Sequence, residues 1–109
     1  MMYVEFSAGG NAYKLRLNTR NVVTLEKHLG CNPIAVFGDG STLPTITTMV
    51  TILWCSMQQY QHNITLDKAY DIFDEYLADG NGITDFVSVI LEIYKVSGII
   101  REEAENEKN

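Results

Sequence analysis

Apolar and polar residues alternate along Tyr3-Val4-Glu5-Phe6 and again along Ala12-Tyr13-Lys14-Leu15-Arg16-Leu17; through most of the remaining chain the apolar positions recur at three- and four-residue steps. The first pattern sends successive side chains to opposite faces of a strand, and the second gathers them on one face of a helix. Between the alternating stretches lies Ala8-Gly9-Gly10-Asn11, whose residues suit the positive φ of a tight reversal. Residues 3–17 therefore predict an antiparallel β-hairpin. A lone two-stranded ribbon is only marginally stable in water, so it must pack on helices or find further strands in another subunit.

Four helices follow by periodicity, at about residues 19–29, 44–59, 66–78 and 83–97. Asn18 or Thr19 can cap the first, which carries Val22, Leu25 and Leu29 on one side and stops at Gly30. Asn32-Pro33 breaks the chain, and Ile34-Ala35-Val36-Phe37 predicts a short helical turn that plugs apolar groups into the core. A polar loop, Gly38-Asp39-Gly40-Ser41-Thr42, precedes Pro44, which fits the first turn of the second helix. In that helix the β-branched residues favour a strand by propensity, yet Ile46, Met49, Val50, Leu53, Trp54 and Met57 keep the helical period.

Capping, periodicity and stop signals agree best from Thr65 to Ile100. Thr65 is a cap, Asp67 sits in the first turn where the helix dipole favours an acid, and Leu66, Ala69, Tyr70, Phe73, Tyr76 and Leu77 form one apolar face. Asp79-Gly80-Asn81-Gly82 ends the third helix, with Gly80 and Gly82 free to take positive φ. In the last helix Ile83, Phe86, Val87, Ile90 and Tyr94 make one stripe, while Val89, Ile93, Val96 and Ile100 make a second. A helix apolar on two sides is either central to its domain or shared with a partner. The predicted fold is mainly α with a small amino-terminal β-hairpin, an α+β class, in one domain over residues 1–100. The charged tail, residues 101–109, is expected to be disordered.

Composition narrows the functional classes. A chain of 109 residues is one domain by size, and no apolar run reaches the roughly 20 residues a membrane span needs. The start meets Glu5 without a basic leader, which predicts a cytoplasmic protein. Cys31 and Cys55, with no CxxC spacing, read as two reduced thiols, and with His28 and His62 scattered through other elements no metal site is expected. Up to Tyr60 four bases meet three acids, a balance of +1; from Gln61 onward four bases meet eleven acids, a balance of −7. That acidity argues against nucleic-acid binding, though an acidic mimic of DNA is conceivable.

No arrangement of residues carries a reaction, and no enzyme, catalytic residue or cofactor is expected. The stretch Asp79 to Phe86 looks like the middle of a calcium loop, but with Gly82 at its invariant sixth position the first and twelfth ligands fall on Leu77 and Ser88, where carboxylates are required. Gly38-Asp39-Gly40 lacks the lysine of a phosphate-binding loop. Asp71, Asp74, Glu75 and Asp79 read as the wet face of an amphipathic helix. Trp54, Met49 and Met57 share a helical spacing that suits core packing better than an adaptable binding surface.

The hairpin, LEKHLG (Leu25 to Gly30) followed by NPIAVF, the helix TILWCSMQQY, then NITLDKAYDIFDEYLADG and ILEIYKVSG together resemble the tail assembly chaperones of long-tailed phages and prophages of Gram-positive bacteria. The resemblance covers nearly all of Tyr3 to Ile100. It implies a non-enzymatic protein that binds the tape measure protein, helps recruit tail tube subunits, works in the host cytoplasm and is absent from the mature virion. It further implies that this chain would be the short form of a pair, the longer one arising by a translational frameshift. Within that reading the second stripe of the last helix, Val89, Ile93, Val96 and Ile100, is the candidate partner-binding or self-association face. Charging Val89 and Ile93 together is then expected to abolish co-purification with the tape measure protein and leave the fold intact. The alternative is a small acidic, prophage-encoded inhibitor or nucleic-acid mimic that binds a basic host protein.

Overall fold

The reversal at Gly9-Gly10 joins β1 (Val4–Ala8) to β2 (Asn11–Leu15) in a computed structural model that describes residues 2–101. Both glycines lie in the left-handed region, at φ 59° and 82°, as a two-residue hairpin turn of the primed type demands. The strands pair antiparallel, with Val4 opposite Leu15, Phe6 opposite Tyr13 and Ala8 opposite Asn11. This register sends Phe6, Ala8 and Leu15 into the core and leaves Glu5, Ser7 and Lys14 in water. The sheet has these two strands, shorter at both ends than residues 3–17.

The turn is anchored by the third helix. The Gly9 N–H donates to Oδ2 of Asp79 at 2.9 Å, and a Cβ added at Gly9 would stand 2.6 Å from Oε1 of Glu75. At Gly10 a Cβ would meet open space. Alanine at either position carries a left-handed strain of about 1–2 kcal/mol, and at Gly9 it must also displace Glu75. Gly9→Ala should therefore lower stability in urea denaturation more than Gly10→Ala, and equal losses would show that Glu75 moves aside without cost.

Helix α1 (Thr19–Leu29) begins where Asn18 accepts the N–H of Asn21 and ends at Gly30 in the left-handed conformation. Asn32 caps a 3₁₀ helix, Pro33–Phe37, in the same way through the N–H of Ala35. Pro33 is the residue this turn buries; Ile34, expected in the core, is 50% exposed. In place of Ile34, the Pro33 carbonyl accepts the hydroxyl of buried Tyr94 at 2.9 Å, and Phe37 meets the Tyr94 ring edge-on at 6.0 Å.

Helix α2 (Ile46–Met57) is capped by Thr45, so Pro44 stands just before the cap and outside the first turn. It is the central helix, in contact with α1, β2 and the two helices that follow, and eight of its twelve residues are buried. Its β-branched residues tolerate the helix because packing on all sides outweighs their propensity. The buried hydroxyls are satisfied within the helix, Thr51 donating to the Thr47 carbonyl at 2.7 Å and Ser56 to that of Leu53 at 2.8 Å. Met49 and Met57 are fully buried, whereas Trp54 is half-buried, donates to the Ile64 carbonyl at 3.1 Å and meets His28 edge-on.

Helices α3 (Leu66–Ala78) and α4 (Ile83–Val96) both pack on α2, and they meet each other through Phe73 and Tyr76 against Phe86. Thr65 caps α3 through the N–H of Lys68. Gly80 takes a positive φ at the exit, but Gly82 is extended at φ −99° and serves as the cap residue of α4. Its N–H donates to the Asp85 carboxylate at 2.6 Å. An aromatic cluster ties the ribbon to these helices: Phe6 stacks on Tyr76 at 4.9 Å and Phe73 meets Phe86 edge-on at 5.1 Å. Four helices and one hairpin thus share a single core, the α+β class expected. The tail expected to be disordered lies, beyond Arg101, outside the described residues.

Candidate interaction surface

The four residues of the second α4 stripe do not form one open face. Ile93 is 0% exposed and belongs to the core with Phe86, Ile90 and Tyr94; Val89 and Ile100 are half-buried and pack against that core, and Val96 is half-buried. The stripe fails because α4 buries a sector wide enough to take Ile93 from the second stripe together with Phe86, Ile90 and Tyr94 from the first. Ile93 therefore cannot be charged with the fold intact. Val89 and Val96 stay at the flank of the buried sector, on the same side of the helix as Glu92, which is three residues from one and four from the other.

That flank borders the ribbon. A groove of about 410 Å³ lies between β1 and α4, lined by Tyr3, Val4, Glu5 and Glu92. Lys14, opposite Glu5 across the ribbon, directs its ammonium over the Tyr3 ring, 5.0 Å from the centroid, and Tyr60 meets Tyr3 edge-on at 5.4 Å. The lining is thus one aromatic, one aliphatic and two carboxylates.

The two long edges of the ribbon are treated differently. At β2 the side-chain amide of Gln61 closes the edge in both directions, accepting the Lys14 N–H at 2.8 Å and donating to the Lys14 carbonyl at 2.9 Å. Beyond it the Arg16 N–H donates to the Ser56 carbonyl and the Leu17 N–H to the Ser97 hydroxyl, both at 2.9 Å. At β1, Glu5 and Ser7 make no backbone bond outside the ribbon among the described residues. Gln61 lies 47 residues from Lys14, and Asp79 lies 70 from Gly9, so no local pattern announces either contact.

Asp79 and Asp85, which suggested a calcium loop, are engaged by the N–H groups of Gly9 and Gly82. Among the described residues, no three His, Cys, Asp or Glu side chains are grouped to hold a metal ion. Cys31 is exposed and Cys55 buried, both free. Burial pushes the Cys55 thiol up to about 12, and burial, with a smaller effect from Cys31, raises the Tyr94 hydroxyl well above its ordinary value. Tyr76 is raised by burial and then by Asp85. Asp39 is held below the usual carboxylate range by the hydroxyl of Ser41 and then by its N–H. His28 sets Nδ1 3.0 Å from the Thr24 carbonyl, one turn back on its own helix, and His62 is an exposed loop residue. Among the described residues no helix is long and apolar enough to cross a membrane.

The fold and this surface define a class: a small α+β domain whose hairpin packs over a helical core, with one strand edge left open beside an acidic groove. The family of unknown function DUF6096 matches residues 5–108, and the chain belongs to that family. No curated protein and no solved structure matches it.

Proposed function

We propose that the protein is a tail assembly chaperone of a long-tailed phage or prophage, which binds the tape measure protein and helps recruit tail tube subunits. The observation that carries this reading is the wording of the chain from LEKHLG through NPIAVF to ILEIYKVSG. A physical argument supports it. A tape measure protein presents long apolar stripes that need cover, and a small domain can supply that cover through a half-buried aliphatic flank such as Val89 and Val96. Acids around such a flank keep the unloaded domain from associating with itself. The protein does no chemistry in this reading and requires no cofactor.

The test is co-expression with the tape measure protein of the same phage or prophage, comparing the native chain with Val89→Asp/Val96→Asp. These positions sit at the rim of the core, so the variant keeps its circular dichroism and a cooperative melt. The native chain should co-purify with the tape measure protein at both low and high ionic strength, and the variant should not. A folded variant that binds unchanged, or a native chain that never binds, ends the proposal. Association with a basic protein that collapses as salt rises would favour the acidic-mimic reading instead. The exposed carboxylates of Asp71 and Asp74 favour that second reading; the use of Asp79 to anchor the hairpin weighs against it.

A further inference from the structure

We propose that the outer edge of β1 takes up an extended peptide segment bearing lysine or arginine as a third strand, with Glu5 and Glu92 selecting its charge. The edge follows from the register. A two-residue turn makes Ala8 with Asn11, Phe6 with Tyr13 and Val4 with Leu15 the hydrogen-bonded pairs, so the N–H and C=O groups of Glu5 and Ser7 point away from β2. The Gln61 contacts to both Lys14 backbone groups agree with this, because Lys14 is the residue opposite Glu5 and its groups point outward on the other side. One edge is closed by a side chain that imitates a strand; the other offers two donors and two acceptors in strand spacing. Natural edges are commonly blocked by proline or a bulge, and β1 has neither.

Charge decides the occupant. The groove is lined by Glu5 and Glu92 together with Tyr3 and Val4, and among the described residues no cation contributes to the lining. Lys14, opposite Glu5 in the ribbon, is engaged with the Tyr3 ring. A second copy of the chain would bring another acidic groove against this one, and the chain carries a net charge of −6. A cationic segment meets no such repulsion. Main-chain pairing supplies affinity in strand addition, and flanking side chains supply the selection. This inference goes beyond the chaperone reading and does not depend on it, since the test contains no tape measure protein.

The probes are two short peptides, one alternating valine with lysine and the other valine with glutamate, added to the full chain under amide hydrogen exchange followed by NMR. The lysine peptide should slow exchange at the Glu5 and Ser7 amides, and the glutamate peptide should leave them unchanged. Glu5→Lys combined with Glu92→Lys should weaken the lysine peptide about tenfold or more and admit the glutamate peptide, as charge complementarity requires. Ser7→Pro removes an outward N–H at a position proline tolerates on an edge strand, and should abolish protection without loss of the hairpin. If that variant unfolds, the lysine double variant alone decides. Unchanged exchange with the lysine peptide, or an equal response to both peptides, overturns the proposal. So does protection of Glu5 and Ser7 that grows with protein concentration in the absence of peptide, which would assign the edge to a second copy.

Discussion

Ile93→Asp should leave the chain without a cooperative thermal melt. Truncating a buried isoleucine costs about 2–5 kcal/mol, and an uncompensated buried charge adds several more. The stability of a domain this size is about 5–15 kcal/mol, so the sum consumes most or all of it. Ile93 is fully buried in the same core as Phe86, Ile90 and Tyr94, and the one polar group among these, the Tyr94 hydroxyl, already donates to the Pro33 carbonyl. Val89→Asp, four residues away at the half-buried flank, should keep the melt and lower its midpoint modestly. Circular dichroism of the two variants makes the comparison. A folded Ile93→Asp would mean that α4 can rotate its second stripe outward, and the four-residue face would then have to be reinstated.

Alkaline pH should destabilise the protein through buried groups, Cys55 and Tyr94 above all, with Tyr76 acting in the same direction. Burial moves the Cys55 thiol from its ordinary value of 9.0 to about 12 and raises Tyr94 from 10.0. Between the ordinary and the raised value, the unfolded chain has lost a proton that the folded chain still holds. Stability from each group is therefore complete below its ordinary value and declines as pH rises, by up to about 1.4 kcal/mol per pH unit for each. Urea denaturation in steps above pH 8 should show a decline beginning near 9 and steepening near 10. Cys55→Ala has a lower starting stability but should lose the first part of the decline and keep the second. A flat response of the native chain between these values would mean that the two side chains reach water in the folded state.

The elements of this fold were largely legible in the chain. Asn18, Thr65 and Gly30 act where local chemistry places them, and the helices at 19–29 and 66–78 begin and end as periodicity predicts. Caps and stops are decided within one turn of backbone, so neighbouring residues suffice to read them. Rank among the helices was not legible in the same way. The stripe read on α2 named Ile46, which is 42% exposed, and left out Ile52, Cys55 and Ser56, which are buried; the helix that looked one-sided is the one most enclosed from Met49 onward. The helix that looked two-sided, α4, has one wide buried sector, and the proposed face on it loses Ile93. Burial depends on how many neighbours a helix acquires, and a period of 3.6 residues reports only where apolar groups lie around its own axis.

The candidate surface divides along the same line. Alternation along Tyr3 to Phe6 announced that Glu5 faces water, and the two glycines announced the turn; the exposure of Ser7 came from the register. The chain by itself thus determined the hairpin, the four helices and the amino-terminal caps of the first and third. Only the tertiary structure brought Glu92 to the groove beside Glu5, Gln61 to the edge of β2 and Asp79 to the turn. These contacts join side chains dozens of residues apart, so they exist only once the core has set the distances between elements. The open edge of β1 is what that packing leaves uncovered.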